Sequence, residues 1–380
     1  MVNSQLKSAR EKRILGIVCS IAITAVLAAT LWPFNPFPPN RVRWLTGANG
    51  ITFDSRGLVV SKSRLNAADR ASGPCSLEVL LRPADTESFY TILSFYTPSN
   101  PKQFLVRQWT DGLLVSHDVV DTKNEVRRTK FDVDHAFQVG KLVLLTIVSG
   151  SNGTVVYANG QLAQVFPRFT ISPTDLSGQI ILGSSAVEYE PWTGEVRGLA
   201  IYSSELTPAQ VLKHFEDWNG SVRVDPSDVG GAVALYFFTE RRGRDIHNAV
   251  VSGPDLEIPK SFTVPHKALL KSPITEFHPS WSYVQDVLLN IAGFVPLGFV
   301  FGLYFAPTHS RGKAILLTIL AAATLSFTIE VLQAYIPKRV SGTTDIITNT
   351  LGAAIGAALA RPDAVRRLLE RLKRNRHAPV

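Results

Sequence analysis

Three pairs of polar side chains stand at helical spacing within apolar sequence: Asp286 with Asn290, Glu330 with Gln333, and Asp345 with Asn349. Residues three or four apart share a face of a helix. A carboxyl beside an amide can bind hydroxyls or a polar headgroup, and paired carboxyls can do acid–base chemistry. Ionisable groups inside a membrane span cost roughly a few kcal/mol each and mark functional sites. Arg339, just before the third pair, adds a guanidinium suited to an anionic group. No nucleophile, metal site or phosphate loop accompanies them, so no reaction and no catalytic residue is named, and an enzyme remains an open reading. No cofactor or metal is expected. The two cysteines, Cys19 and Cys75, lie far apart and show no zinc spacing.

These residues must be held by membrane helices. The 380-residue chain is 18% charged, below the ~25% of soluble domains. Residues 14–40, 287–310 and 346–360 hold no Asp, Glu, Lys or Arg, and residues 314–337 hold only Glu330. This excludes a small soluble protein and a disordered one. A helix rises ~1.5 Å per residue, so about 20 residues cross a bilayer core. Four spans are predicted, at about 14–33, 286–306, 313–336 and 342–360. The first is longer than the ~7–15-residue apolar region of a signal peptide and reads as an uncleaved anchor, with a cleaved signal as the rival. The last is rich in Gly and Ala, and Gly352-xxx-Gly356 suits close helix packing.

The net charge of +8 sits largely beside these spans. Lys7, Arg10, Lys12 and Arg13 precede the first. Arg311 and Lys313 lie between the second and third, and residues 361–380 form a basic tail. The positive-inside rule puts all three segments, 1–13 and 361–380 among them, in the cytoplasm. Nucleic acid is therefore not an expected partner. Lys338 and Arg339 fall on the wrong side and invite an explanation. With this orientation all three polar pairs occupy the outer leaflet, Glu330 about 10 Å deep. The plainer structural account is hydrogen bonding between helices. Asp286 also suits an N-cap. Capping cannot apply to Glu330, which lies deep in its span and near the C-terminal half, and it is expected to meet Arg339 or Asn349.

Residues 45–262 differ entirely. Ser76–Leu81, Tyr90–Phe95, Phe104–Trp109, Val143–Val148, Thr154–Tyr157 and Gln179–Leu182 read as strands. Asn152-Gly153 and Asn159-Gly160 read as hairpin turns. One helix is predicted near residues 207–214, with Thr207 as N-cap and Pro208 at its first position. The expected fold class is an α+β multidomain membrane protein: a four-helix transmembrane bundle plus an exterior all-β jelly-roll sandwich, joined by a linker at 263–285.

The run Ile181-Leu-Gly183, then Trp192-Thr-Gly194 through Tyr202, then Leu206-Thr-Pro-Ala-Gln-Val resembles laminin-G-like, concanavalin A-like lectin/glucanase jelly rolls. The resemblance implies a sandwich of roughly 200 residues. Three roles stay open for it. Glycan could stack on Trp109, Tyr189 or Trp192, although aromatic side chains also dominate sandwich cores. Glycan hydrolysis needs paired carboxylates, and the Glu-x-Asp-x-x-Glu run of glucanases with this fold is missing. The third role is protein binding or pure structure.

A second resemblance rests on the polar pairs. Asp286-x-x-x-Asn290, Phe294-Val-Pro296-Leu297-Gly298, Glu330-x-x-Gln333, Arg339 and Asp345-x-x-x-Asn349-x-x-Gly352-x-x-x-Gly356 are similar to the VanZ-like membrane family. That family is named for a protein linked to low-level teicoplanin resistance. The resemblance implies a small bundle of about four spans, with the jelly roll replacing the short loop after the first. The reading is a bacterial plasma-membrane protein that binds or handles glycan or lipid-linked glycan of the cell envelope. The alternative is a membrane-anchored module that recruits an extracytoplasmic protein, its helices serving only as an anchor. Membrane lipid is an expected partner in either case. The segment Arg366–Arg374 reads as a basic amphipathic helix resting on anionic lipid, or simply as a topology anchor.

Overall fold

The computed structural model describes residues 2–67, 73–87, 89–120, 126–219 and 231–362. The basic amphipathic segment read at 366–374 lies outside the described residues. The chain divides into a helical unit, Met1–Pro36 with Ala268–Val380, and a β unit, Phe37–Lys267.

In the helical unit, helix α1 spans Val2–Leu31. In the β unit, α2 spans Pro208–Asn219. The helical unit resumes with a single turn, α3, at Pro273–Glu276. Then follow α4, Trp281–Phe305; α5, Arg311–Ala334; and α6, Thr343–Leu359. Three helices among the described residues are long and apolar enough to cross a bilayer: Arg10–Leu31 of α1, α4 and α5. The chain is a membrane protein by this measure. At 17 residues α6 is shorter, about 26 Å along its axis, so a fourth full span is not established. One apolar cluster nevertheless draws on all four, with Cys19 from α1, Phe294, Leu297 and Phe301 from α4, Ala322 and Ile329 from α5, and Ala353 from α6.

Helices α4 and α6 touch through glycine. A side chain at Gly352 would strike the backbone of Ile291, and one at Gly356 the carbonyl of Val295. The partner surface is reciprocal: Gly298 lies against the Ala353 backbone and Gly302 against Ala357 and Ala360. Lipid gives no hydrophobic drive to helix pairing, so close backbone approach through small residues supplies the dispersion energy instead. Helix α4 begins earlier than the polar sequence before Asp286 suggests, because Ser280 caps it by accepting from the Tyr283 N–H at 3.3 Å.

The β unit contains two eight-stranded sheets. The first runs, in spatial order, Val42–Trp44, Ile51–Phe53, Gly194–Tyr202, Cys75–Pro83, Val143–Gly150, Gly153–Ala158 and Gln161–Phe166, with Ala232–Tyr236 also paired to the third of these. The second runs Asp245–Ile246, Leu256–Glu257, Val59–Ser61, Gln179–Leu182, Phe89–Thr97, Asn100–Trp109, Gly112–Val120 and Val126–Val133. Pairing is antiparallel throughout these strands. Leu77, Val79 and Leu81 of one sheet meet Phe95, Phe104 and Val106 of the other in a single core, as two apolar sheet faces require.

Local chemistry sets the register. Asn159 and Gly160 take φ of 53° and 77° between paired strands, the left-handed pair that a tight hairpin turn needs. Thr207 and Gln210 cap α2 reciprocally: the Gln210 N–H donates to Thr207 Oγ1 at 3.3 Å and the Thr207 N–H to Gln210 Oε1 at 2.9 Å.

Candidate functional site

The polar pairs of the helical unit gather around two adjoining cavities. The deeper one, of about 410 Å³, is lined by Asn290, Glu330, Gln333, Asp345 and Asn349 and by apolar wall from α1 and α4, including Val26, Phe294 and Leu297. The outer one, of about 450 Å³, is lined by Lys271, Glu276, His278, Tyr283, Asp286, Asn290, Thr344 and Asp345. Asn290 and Asp345 belong to both, and their side chains are joined, with Asn290 Nδ2 donating to Asp345 Oδ1 at 2.8 Å. We call the deeper space the chamber and the outer one the vestibule.

Glu330 is 1% exposed. Its Oε2 accepts from the Gly342 N–H at 2.7 Å. Gly342 is the N-cap residue of α6 and has no side chain to cap with. The expectation that capping cannot apply to Glu330 is therefore corrected: it caps a neighbouring helix, not its own. Glu276 completes the arrangement, accepting from the Thr344 N–H at 3.2 Å and the Thr344 hydroxyl at 2.6 Å. The first turn of a helix leaves backbone N–H groups unpaired and carries partial positive charge, so carboxylates stabilise it. Glu276 sits in the segment read as linker, where no periodicity singles it out.

Gln333 and Arg339 serve the other end of α1. Gln333 Nε2 donates to the Thr30 carbonyl at 3.1 Å, and Arg339 Nη2 to the Trp32 carbonyl at 3.3 Å. Carbonyls at a helix C-terminus lack intrahelical donors, and a cation there also meets the negative end of the dipole. Arg339 lines neither cavity. This departs from the shared pocket expected for it, and it gives Arg339 a structural role at the end of α1.

Asn349 is 5% exposed. Its Nδ2 donates to Ser326 Oγ at 3.0 Å, whereas its Oδ1, beside the chamber, has no hydrogen-bond partner. Asp286 is exposed on the vestibule wall. Among the described residues no salt bridge engages Glu276, Asp286 or Asp345.

The three aromatic residues considered for glycan stacking separate in the β unit. Trp192 is 0% exposed; it packs on Phe53 in the core, and its Nε1 donates to Gln108 Oε1 at 2.7 Å. The stacking expectation for Trp192 is corrected, because the ring fills the space between the sheets. Tyr189 is half-buried with its ring edge-on to Phe262. Trp109 is 52% exposed and pairs across strands with Phe89, which is 39% exposed. The alternation of the sequence did not single out Phe89, since an aromatic at a strand end reads as core. The Arg107 guanidinium lies 4.9 Å from the centre of the Phe89 ring and 3.2 Å from Glu190. Burial pushes the Glu190 carboxyl up, against the pull of Arg107. The result is an aromatic pair backed by a fixed guanidinium, a surface that could stack on a sugar ring.

Two family models match the chain, one within the β unit and one that covers the helical unit's later helices and reaches back into the end of the β unit. Residues 231–367 match the VanZ/LLP1 family model, and residues 60–212 match the concanavalin A-like lectin/glucanases superfamily model. The chain thus carries a VanZ-like region and a lectin-like domain placed after an N-terminal helix. No curated protein matches it. Among solved structures, a candidate carbohydrate binding protein from Bacteroides ovatus is similar at 14% identity and a TM-score of 0.40, over 55% of this chain and 57% of that one. The receptor binding domain of botulinum neurotoxin mosaic serotype C/D is similar at 18% identity and a TM-score of 0.35, over 47% and 44%. The chain spans about half the length of these structures.

Proposed function

We propose that this is a bacterial cell-envelope membrane protein that binds or handles glycan or lipid-linked glycan. The helical unit holds the amphiphile near its headgroup, and the lectin-like domain contacts glycan outside the membrane. Both termini are cytoplasmic, following the placement of Lys and Arg. The observation that carries this reading is the convergence of Asn290, Glu330, Gln333, Asp345 and Asn349 on one cavity among apolar helices. Buried acceptors and donors beside an apolar wall suit a molecule with a polar head and a greasy chain. The lectin/glucanase match of residues 60–212 supports the glycan part.

Gly293 offers a direct test, because it lines the chamber and a Cβ there would meet nothing within 4 Å. Gly293→Leu is expected to leave the protein folded and to fill the chamber. The full chain in phosphatidylcholine nanodiscs, exposed to a photoactivatable octyl glucoside, should be labelled on α1 and α4. In Gly293→Leu that labelling should fall about tenfold, the equivalent of ~1.4 kcal/mol. Unchanged labelling in the variant, or labelling spread evenly over the lipid-facing surface, would remove the chamber from the proposal. For the exterior domain, Trp109→Ala with Phe89→Ala is expected to reduce co-sedimentation with purified peptidoglycan roughly threefold to tenfold, from lost aromatic stacking. Equal co-sedimentation would count against a sugar platform at this edge.

A second reading, the protein-recruiting module, is favoured by one observation. The strand Gln161–Phe166 ends its sheet with Leu162 and Val165 exposed, and an open apolar edge is a template for strand addition. Cross-linking from Leu162 in intact cells would show a protein adduct on this reading and none on the first.

A further inference from the structure

Residues 269–281 run from the segment read as linker into the first residue of α4, and they are pinned along one side. The Lys271 N–H donates to the Ser341 carbonyl at 2.9 Å, the Thr343 N–H to the Lys271 carbonyl at 3.0 Å, and the Leu270 N–H to Ser341 Oγ at 3.2 Å. Glu276 holds the same strap to Thr344. The strap is therefore fixed against the start of α6, and its two faces differ. Lys271, Thr275, Glu276, His278 and Ser280 line the vestibule. Leu269, Ile274, Phe277 and Trp281 line neither cavity and are exposed, Ile274 at 87%. This is the reverse of a loop in water: polar groups turn toward the cavity and large apolar ones away from the protein. Such a patch marks a contact surface.

The neighbouring helix ends identify what is contacted. Trp32, just after α1, and Tyr335, just after α5, are exposed as well, and so are Lys338 and Arg339. Gln333 and Arg339 tie the ends of α1 and α5 together. Helices α1, α4 and α5 are long and apolar enough to cross a bilayer. Aromatic side chains at the ends of such helices sit at the membrane–water interface, and basic ones reach toward the phosphates. The strap joins α4 at this level through Trp281, so its apolar face continues the lipid-facing surface of the spans. We infer that residues 269–281 are a membrane-binding strap whose partner is the lipid leaflet. Leu269, Ile274, Phe277 and Trp281 lie in the bilayer interface at this end of the helices, and the vestibule on the other face opens to water at headgroup depth. This goes beyond the proposed function and rests on neither the glycan nor the chamber.

The test places one nitroxide at a time, through an introduced cysteine, on the full chain in phosphatidylcholine nanodiscs. Both native cysteines are buried and are replaced by alanine. If that replacement lowers the thermal midpoint, the native chain treated with the same label supplies the background to subtract. Collision with oxygen, which concentrates in lipid, is compared with collision with a water-soluble nickel chelate. Leu320, exposed on α5, gives the lipid reference, and Val251, exposed in the β unit, the water reference. Labels at Ile274→Cys and Phe277→Cys should show an oxygen-to-nickel ratio severalfold above that at Val251 and below that at Leu320, as interfacial depth requires. A label at Thr275→Cys, on the vestibule side, should favour the nickel chelate although it is one residue away. Ratios at 274 and 277 equal to that at Val251 would put this face in water and overturn the inference. Low access to both reagents would overturn it too, by placing another protein surface over the strap. An equal preference for oxygen at 274 and 275 would overturn the two-sided strap and the headgroup depth of the vestibule. None of these results alters the chamber labelling expected of Gly293→Leu, so failure here is distinct from failure of the proposed function.

Discussion

Gly356→Leu is expected to keep the helical unit from assembling. A side chain at this position runs into the Val295 carbonyl, the Phe299 amide nitrogen and the carbonyl carbon of Gly298, all of them backbone. A flexible neighbour could move aside, but a helix backbone cannot without taking its whole helix with it. The α4–α6 seam must open along its length, and Gly352 loses its contact with Ile291 as well. Overpacking alone costs about 1–3 kcal/mol, and separating a glycine-lined pair forfeits the close dispersion contacts that membrane helices depend on. A total of about 3 kcal/mol or more is a large share of a domain's stability. The measurement is the yield of monodisperse protein from membranes and its thermal midpoint, with Gly293→Leu as the matched control. The same two residue types are exchanged in both variants, yet only one meets backbone. Similar yields and midpoints for the two would mean that the seam is not where the unit gains its cohesion. Loss confined to Gly356→Leu supports the packing account and keeps the chamber test at Gly293 interpretable.

The glycine seam also shows how far the sequence could be read. Gly352-xxx-Gly356 stands out in an apolar stretch because small residues four apart mark one helix face. Its counterpart, Gly298-xxx-Gly302, is hidden among Phe, Leu and Val, and only the pairing of the two helices makes it a seam. In the β unit, short runs of apolar and β-branched residues mark strands, as in Val143–Gly150, which is buried on both faces along nearly its whole length. Val126–Val133 was not marked in this way, because Arg127, Arg128 and Lys130 interrupt its run, while Phe131 and Val133 reach the core. Spacing placed the polar pairs on helix faces, yet it could not say which group each would satisfy. Backbone ends are invisible to side-chain periodicity. The carbonyls of Thr30 and Trp32 and the N–H of Gly342 therefore had no place in the sequence reading, although they claim Gln333, Arg339 and Glu330.

That claim on Glu330 can be separated from ligand chemistry by two substitutions. Glu330→Ala leaves the buried Gly342 N–H without this acceptor and opens space beside the chamber. An unsatisfied buried donor costs about 1–3 kcal/mol, and a lost hydrogen bond to a charged group is at the strong end of the range. With the added void, about 3 kcal/mol is expected, seen as a fall in thermal midpoint of the full chain in nanodiscs. Glu330→Gln keeps an oxygen in place to accept from Gly342 and should recover most of that loss. If the carboxylate serves only as a cap for α6, the Gln variant should also bind the photoactivatable octyl glucoside as the parent does. If its charge orders the sugar hydroxyls, the Gln variant should be stable yet label roughly tenfold less. A Glu330→Ala protein with an unchanged midpoint would contradict the capping role directly. The two functions are compatible because a carboxylate has two oxygens: Oε2 is directed to the start of α6, and the group as a whole still borders the chamber. The first turn of a helix needs an acceptor for its N–H groups, and lending one from a neighbouring helix sets a carboxyl group beside the chamber with one oxygen already satisfied.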